Sequence, residues 1–278
     1  LKAVLEEEGI PADIEVIKVR TDEEAKRLKF IGSPTPLCNP KGGKSMEKKK
    51  LDLEEMVALI RNSLPKLSPE EQKVFVQIYR LLAQGQPVPR EKIATTLPIS
   101  NDVVNHILSR WWGIYYDEKD RIIGFWGLTL KPMSHRFEVQ GHTLYTWCAM
   151  DSLFIPEIIQ KTARVESTCP VTGAQIRLTV APEGVRHIDP ASTVMSFMIP
   201  EAAKIRENVI ANFCHYVHFF SSAEAGTTWI SRNPGTFLLS IDEAYILGHK
   251  KNEFQFKDTI NLMRPCNPAP GFPATDTV

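Results

Sequence analysis

Net charge, a disulfide framework and a membrane-length apolar run are all missing from this 278-residue chain. Lysine plus arginine and aspartate plus glutamate stand at 33 each, so no global field draws nucleic acid or anionic lipid, and such binding would need a local patch. No apolar run approaches the roughly 18 to 20 residues of a membrane span, and the N-terminus is charged rather than signal-like. The expectation is a cytoplasmic chain with no membrane and no nucleic-acid partner, whose opening at Leu1 reads as the interior of a longer gene product. Five cysteines, Cys38, Cys148, Cys169, Cys214 and Cys266, are odd in number and widely spaced, which excludes a disulfide scaffold. Free thiols in a reducing compartment are then inert core residues or soft, reactive ligands. The hydrophobic share of 43% is that of an ordinary globular protein, so disorder is not the default.

Along the chain, residues 1 to about 37 suggest helix, strand, helix and turn, and Gly32-Ser33-Pro34-Thr35 resembles the loop before the cis-proline strand of thioredoxin-like domains. The Cys-x-x-Cys nucleophile of such enzymes is absent, so residues 1–50 are expected to be a thioredoxin-like remnant and linker without redox activity. Residues 51–127 read as a winged-helix-like domain. Leu51, Met56, Leu59 and Ile60 form an amphipathic stripe, and Ser68-Pro69-Glu70-Glu71 is a helix start with serine as cap and proline at the first position. Shorter helices follow near Arg90 to Thr95 and Asn101 to Arg110, then a hairpin from Tyr115-Tyr116 through Asp117–Asp120 to Ile122–Trp126. The helix at Asn101 offers Asn101, Asp102, Asn105 and His106 with only Arg110 as a cation, a poor reader of phosphates and bases, which favours a structural role.

From 128 to 252 the texture changes to short strands with few helices between them, which argues an α+β core of small antiparallel sheets and helices. Strands are expected at Phe137–Tyr145, Ala163–Ser167, Gln175–Ala181 and Thr193–Ile199, and helices at Trp147–Gln160, Pro200–Ile210, Ala223–Ser231 and Ile241–Ile246. Residues 253–278, with Cys266 and four prolines from Pro265 to Pro273, read as a disordered tail.

The chemistry concentrates in Tyr145-Thr146-Trp147-Cys148-Ala149-Met150-Asp151. With Thr146 as N-cap, Cys148 falls in a first helical turn whose backbone N–H groups lower a thiol pKa, and Asp151 follows three residues later on the same face. From that spacing alone the plainer reading, a buried cysteine and a helix-stabilising aspartate, carries more weight. A second segment, Asn212-Phe213-Cys214-His215-Tyr216-Val217-His218-Phe219-Phe220, reads as a strand leaving a helix, with Cys214, Tyr216 and His218 on one side. A zinc site on Cys214 and His218 is disfavoured, because a cysteine and a histidine four apart on a strand do not chelate comfortably. Cys169-Pro170-Val171-Thr172-Gly173 is half a zinc knuckle without its second cysteine, and Cys169 reads as a core residue at a turn.

Taken together, Leu144 to Pro156, then Thr162-Ala163-Arg164-Val165 with Cys169 and Thr172-Gly173-Ala174, and Cys214 to Phe220 resemble the organomercurial (alkylmercury) lyase family over roughly residues 52 to 250. The resemblance implies a winged-helix-like region before a mixed core, and a catalytic set of Cys148, Asp151 and Cys214, with Cys169 structural. It also implies an organomercury substrate, no cofactor, external thiols for turnover and a mercuric reductase as product acceptor. One departure is His215, where some members carry a second cysteine.

Physical chemistry supports that set. Thiolates are the softest protein ligands, so two converging cysteines select an alkylmercury cation over hard ions. A second thiolate pushes electron density onto the Hg–C bond, and Asp151 is then the acid, or a relay for a thiol proton. Two other classes compete: a soft-metal-binding regulator whose winged helix binds DNA, and a thiol oxidoreductase suggested by the thioredoxin-like fragment and Cys38.

Overall fold

The computed structural model describes residues 53–260. The thioredoxin-like piece and linker, Cys38, Cys266 and the tail beyond 260 lie outside the described residues.

The described chain opens with four helices, α1 (Leu53–Ser63), α2 (Pro69–Leu82), α3 (Arg90–Thr96) and α4 (Asn101–Arg110). The start of α2 is fixed by its expected cap: Ser68 Oγ accepts from Glu71 N and Glu71 Oε2 accepts from Ser68 N at 2.8 Å, a reciprocal capping box. Val74, Phe75, Ile78, Tyr79, Leu81 and Leu82 then bury one face at helical spacing. In α4, Ser100 caps Val103 N, Val104, Ile107 and Leu108 are buried, and the polar residues Asn101, Asp102, Asn105 and His106 are exposed. Its one cation, Arg110, is paired with Glu71 at 2.6 Å.

A hairpin of β1 (Ile114–Tyr116) and β2 (Ile122–Phe125) follows. Its turn is held by Asp117, whose carboxylate accepts from Lys119 N and from Arg121 N and Nε. The hairpin continues into a larger antiparallel sheet of order β1-β2-β3-β5-β4-β6-β7-β8. Its further strands are β3 (Leu128–Thr129), β4 (His135–Val139), β5 (His142–Thr146), β6 (Ala163–Thr168), β7 (Gln175–Ala181) and β8 (Gly184–Asp189). A second sheet, β10-β9-β11, is built from β9 (Val194–Met198), β10 (Phe219–Phe220) and β11 (Thr236–Ser240). The remaining helices are α5 (Ala149–Ile159), α6 (Ala202–Asn212), α7 (Ala223–Ile230) and α8 (Ile241–Phe256). The architecture is a mixed α+β fold with antiparallel sheets, and the expected small sheets are joined into one of eight strands beside one of three.

Four local expectations are corrected. The strand expected over Phe137–Tyr145 is the hairpin β4–β5, because Gln140 (φ 51°) and Gly141 (φ 82°) form the two-residue left-handed turn that tight hairpins favour. Strands β8 and β11 were not anticipated. The strand expected from Cys214 is a 3-10 turn, Cys214–Tyr216, and extended pairing begins only at Phe219. Helix α8 runs ten residues past Ile246 to Phe256, so residues 253–256 of the expected tail are helical.

Two interactions hold the end of α8 in place. Phe256 is buried with its ring 5.3 Å from that of Phe75, which also meets Phe125 at 4.5 Å and Trp126 at 5.5 Å. Each such pair adds about 0.5–1.5 kcal/mol beyond burial of area. Behind α5, Glu157 (1% exposed) accepts from His249 Nδ1 at 2.7 Å and from Asn252 Nδ2 at 2.8 Å. Polar residues at buried positions of α8 break its apolar periodicity, which is why the helix looked short in sequence. Glu157→Ala is expected to lower unfolding free energy by about 3 kcal/mol, because it strands two buried partners. Urea denaturation measures this, and a change under about 0.5 kcal/mol would contradict it.

Candidate active site

The sequence from Thr146 to Asp151 turns a strand into a helix two residues later than expected. Cys148 itself is the N-cap of α5, with extended φ/ψ of −144° and 172°, and Asp151 is the third helical residue. The two make a reciprocal capping box in which Cys148 N donates to Asp151 Oδ2 at 3.0 Å. Thr146, the expected cap, instead donates from Oγ1 to Cys148 O at 3.1 Å. Geometry that serves the helix thereby clamps the carboxyl beside the sulfur.

A close turn makes room for that carboxyl. Trp126 (φ 39°) and Gly127 (φ 103°) reverse the chain between β2 and β3, pinned by Tyr79 Oη donating to Trp126 O at 2.7 Å and by Trp147 N donating to Gly127 O at 2.9 Å. A Cβ at Gly127 would overlap the Asp151 carboxyl, and its positive φ disfavours any other residue. Sequence reading passed over Gly127, since nothing local marks it.

Cys214 arrives on the 3-10 turn, which is anchored from β9. The Ser196 hydroxyl donates to Tyr216 O at 2.7 Å and accepts from His218 N at 3.0 Å, while Ala149 N at the start of α5 donates to Val217 O at 3.2 Å. The last of these bonds joins the two cysteine-bearing segments directly. Cys148, Asp151 and Cys214 are all buried, and their ligand atoms lie within 4.8 Å of one another. Among the described residues, this is the one cluster of three or more such side chains able to hold a metal ion.

Electrostatics differ from the sequence expectation for Cys148. Burial, the hydrogen bond to Cys214 and the field of Asp151 push its pKa well above the ordinary thiol value, although a helix N-terminus would lower it. Cys214 accepts the hydrogen bond from Cys148, which favours its thiolate, but burial and Asp151 outweigh this and raise it as well. Burial also raises Asp151, to about 6, against hydrogen bonds from Cys148 and the charge of Lys251. At neutral pH these shifts leave the pocket with two thiols and a carboxylate.

The other residues singled out in sequence sit apart from this cluster. Cys169 lies in the turn it was assigned, with its N donating to Ala174 O at 2.8 Å. Burial opposes its ionisation, yet hydrogen bonds from Thr172, Ser221 and Val171 bring its pKa to about 7. His215 and His218 are not ligands of the cluster but line, with Cys214, a cavity of about 360 Å3. Tyr115 of the β1–β2 hairpin and Trp147 share that wall, their rings edge to face at 5.3 Å.

Residues 128–252 match the family model described as alkylmercury lyase. An alkylmercury lyase of Pseudomonas putida is 45% identical over 182 residues, spanning 65% of this chain and 84% of that protein. The chain belongs to the alkylmercury lyase family. It is thus an enzyme of the lyase class. A second alkylmercury lyase, from Streptomyces lividans, is 42% identical over 63% of this chain and 80% of its own length. Among solved structures, one described as the mercury-bound form of MerB2 superposes with a TM-score of 0.59, covering 73% of this chain and 98% of that one. At 22% identity that likeness concerns the fold alone. Among the described residues no helix is long and apolar enough to cross a membrane.

Proposed function

We propose that this chain cleaves the carbon–mercury bond of organomercury compounds by protonolysis, with Cys148 and Cys214 binding mercury and Asp151 carrying the proton. One observation carries the reading: Cys214, remote in sequence, converges with the neighbouring Cys148 and Asp151 so that two thiols and a carboxyl lie within 4.8 Å of one another in a buried pocket. Incubation with a phenylmercury thiol adduct and detection of benzene tests it. Mercury consumed without benzene would refute it.

The raised thiol pKa values support a relay. Only a cation that binds sulfur strongly displaces those protons, which favours soft mercury over hard ions. As R–Hg–SR′ enters, one protein sulfur replaces R′S and its proton leaves with R′SH. The second sulfur then joins mercury, its proton passes to the Asp151 carboxylate, and Asp151 delivers it to the carbon as the Hg–C bond breaks. The sum is R–Hg–SR′ plus two thiols giving RH, R′SH and Hg(II) held by two thiolates. No cofactor enters this sequence, and external thiols or a mercuric reductase would remove the product.

A relay needs the carboxylate before substrate binds. Asp151 has its pKa near 6, so kcat/KM is expected to be level above about pH 6 and to fall up to about tenfold per unit below it. Single-turnover rates from pH 5 to 8 measure this. A rate that rises as pH drops from 7 to 5 would point to Asp151 acting from its protonated resting state instead.

The helices and hairpin of residues 51–127 suit a structural winged-helix-like domain that carries Tyr115 to the cavity beside a catalytic core at 128–252. Pairing of Arg110 with Glu71 further weakens a DNA-binding regulator. A cytoplasmic location remains part of this proposal.

A further inference from the structure

The cavity beside Cys214 is about 360 Å3, against roughly 30 Å3 for one water, so an aryl group fits beside the metal. Its walls include Tyr115, Trp147 and Ile210, and His135 is among several polar members. His135, on β4, is 2% exposed. Its Nδ1 lies 2.6 Å from Ser167 Oγ on the neighbouring strand, while its Nε2 is buried with no hydrogen-bond partner. Nearby groups do not relieve this: Phe219 presents its ring at 5.7 Å, and His218, at 6.2 Å, has its Nε2 on His215 O.

The tautomer follows from Ser167. The described structure gives its hydroxyl no acceptor other than His135 Nδ1, so the Ser167 proton goes there and Nε2 carries the ring proton. Burial and His218 lower the His135 pKa to about 3, keeping the ring neutral. The result is a fixed N–H donor, left unsatisfied by the protein, on a residue that lines a substrate-sized cavity. Buried polar groups are rarely left so, and an empty donor in a binding cavity waits for an acceptor on the ligand.

We propose that His135 is a substrate-positioning residue whose Nε2–H donates to a hydrogen-bond acceptor on the organic group of the mercurial, favouring aryl mercurials that carry a carboxylate. This rests on the lyase reading above, and benzene release from phenylmercury by the wild-type chain tests that reading separately. The discriminating quantity is the KM for 4-carboxyphenylmercury relative to that for phenylmercury, both as thiol adducts. One charge-assisted hydrogen bond corresponds to a change of about ten- to a hundredfold. In His135→Phe the ratio is expected to rise at least about tenfold, with the kcat ratio of the two substrates little changed. His135→Gln, whose amide N–H replaces Nε2–H, restores most of it. If the phenylalanine variant does not fold, the wild-type chain serves alone: 4-carboxyphenylmercury should show a KM about tenfold below that of 4-methylphenylmercury. An unchanged KM ratio in His135→Phe, or equal KM values for the carboxyl and methyl substrates, overturns the proposal.

Discussion

Asp151→Asn is expected to slow single-turnover protonolysis of phenylmercury by about 10²- to 10⁴-fold while making the protein more stable at neutral pH. An amide cannot take a thiol proton, yet its oxygen still accepts from Cys148 N, so the capping box survives. The stability gain comes from the raised pKa. Folding moves Asp151 from 3.8 to about 6, so between those values the folded chain holds a proton that the unfolded chain has released. Stability therefore falls as pH rises through that window, by an amount on the order of 3 kcal/mol that persists above it. The asparagine variant should gain about 2–3 kcal/mol at pH 7 and almost nothing at pH 3, measured by urea denaturation. Wild-type protonolysis would show that Asp151 is a structural cap and no more, and lower stability at pH 7 would contradict the raised pKa.

Cys148→Ala and Cys214→Ala should each abolish turnover, by at least about 10³-fold, and the double variant should be no worse than either single one. Both sulfurs must bind the same ion to load the Hg–C bond with electron density, so removing either removes the joint effect. Each side chain is small and buried, and its loss is expected to lower stability by only about 1 kcal/mol. Benzene release by gas chromatography gives the rates. Losses that multiply in the double variant would mean the thiols act independently.

The cysteine–aspartate pair was legible because a helical offset of three is a local property. Its consequence was misjudged by two residues, since Cys148 caps the helix instead of entering it, and burial then governs its acidity. The convergence of Cys214 with Cys148 came only through the family resemblance. It depends on Ser196 bonding Tyr216 and His218, contacts between segments 20 and 22 residues apart that no periodicity reports. Gly127 and His135 were invisible for the same reason, one defined by the space Asp151 needs and the other by a partner across the sheet. Helix α2 was read correctly because its cap, proline and apolar stripe agree, whereas α8 hides its length behind the buried Glu157–His249–Asn252 network.

Native mass spectrometry after one turnover tests the central claim most directly. With a single equivalent of phenylmercury, the protein should gain the mass of one mercury atom less two protons, and the gain should vanish in the Cys148→Ala, Cys214→Ala double variant. A product that keeps its phenyl group, or in which mercury has displaced one proton only, would contradict a buried pair of thiols closing on a single ion with a carboxyl to move the proton.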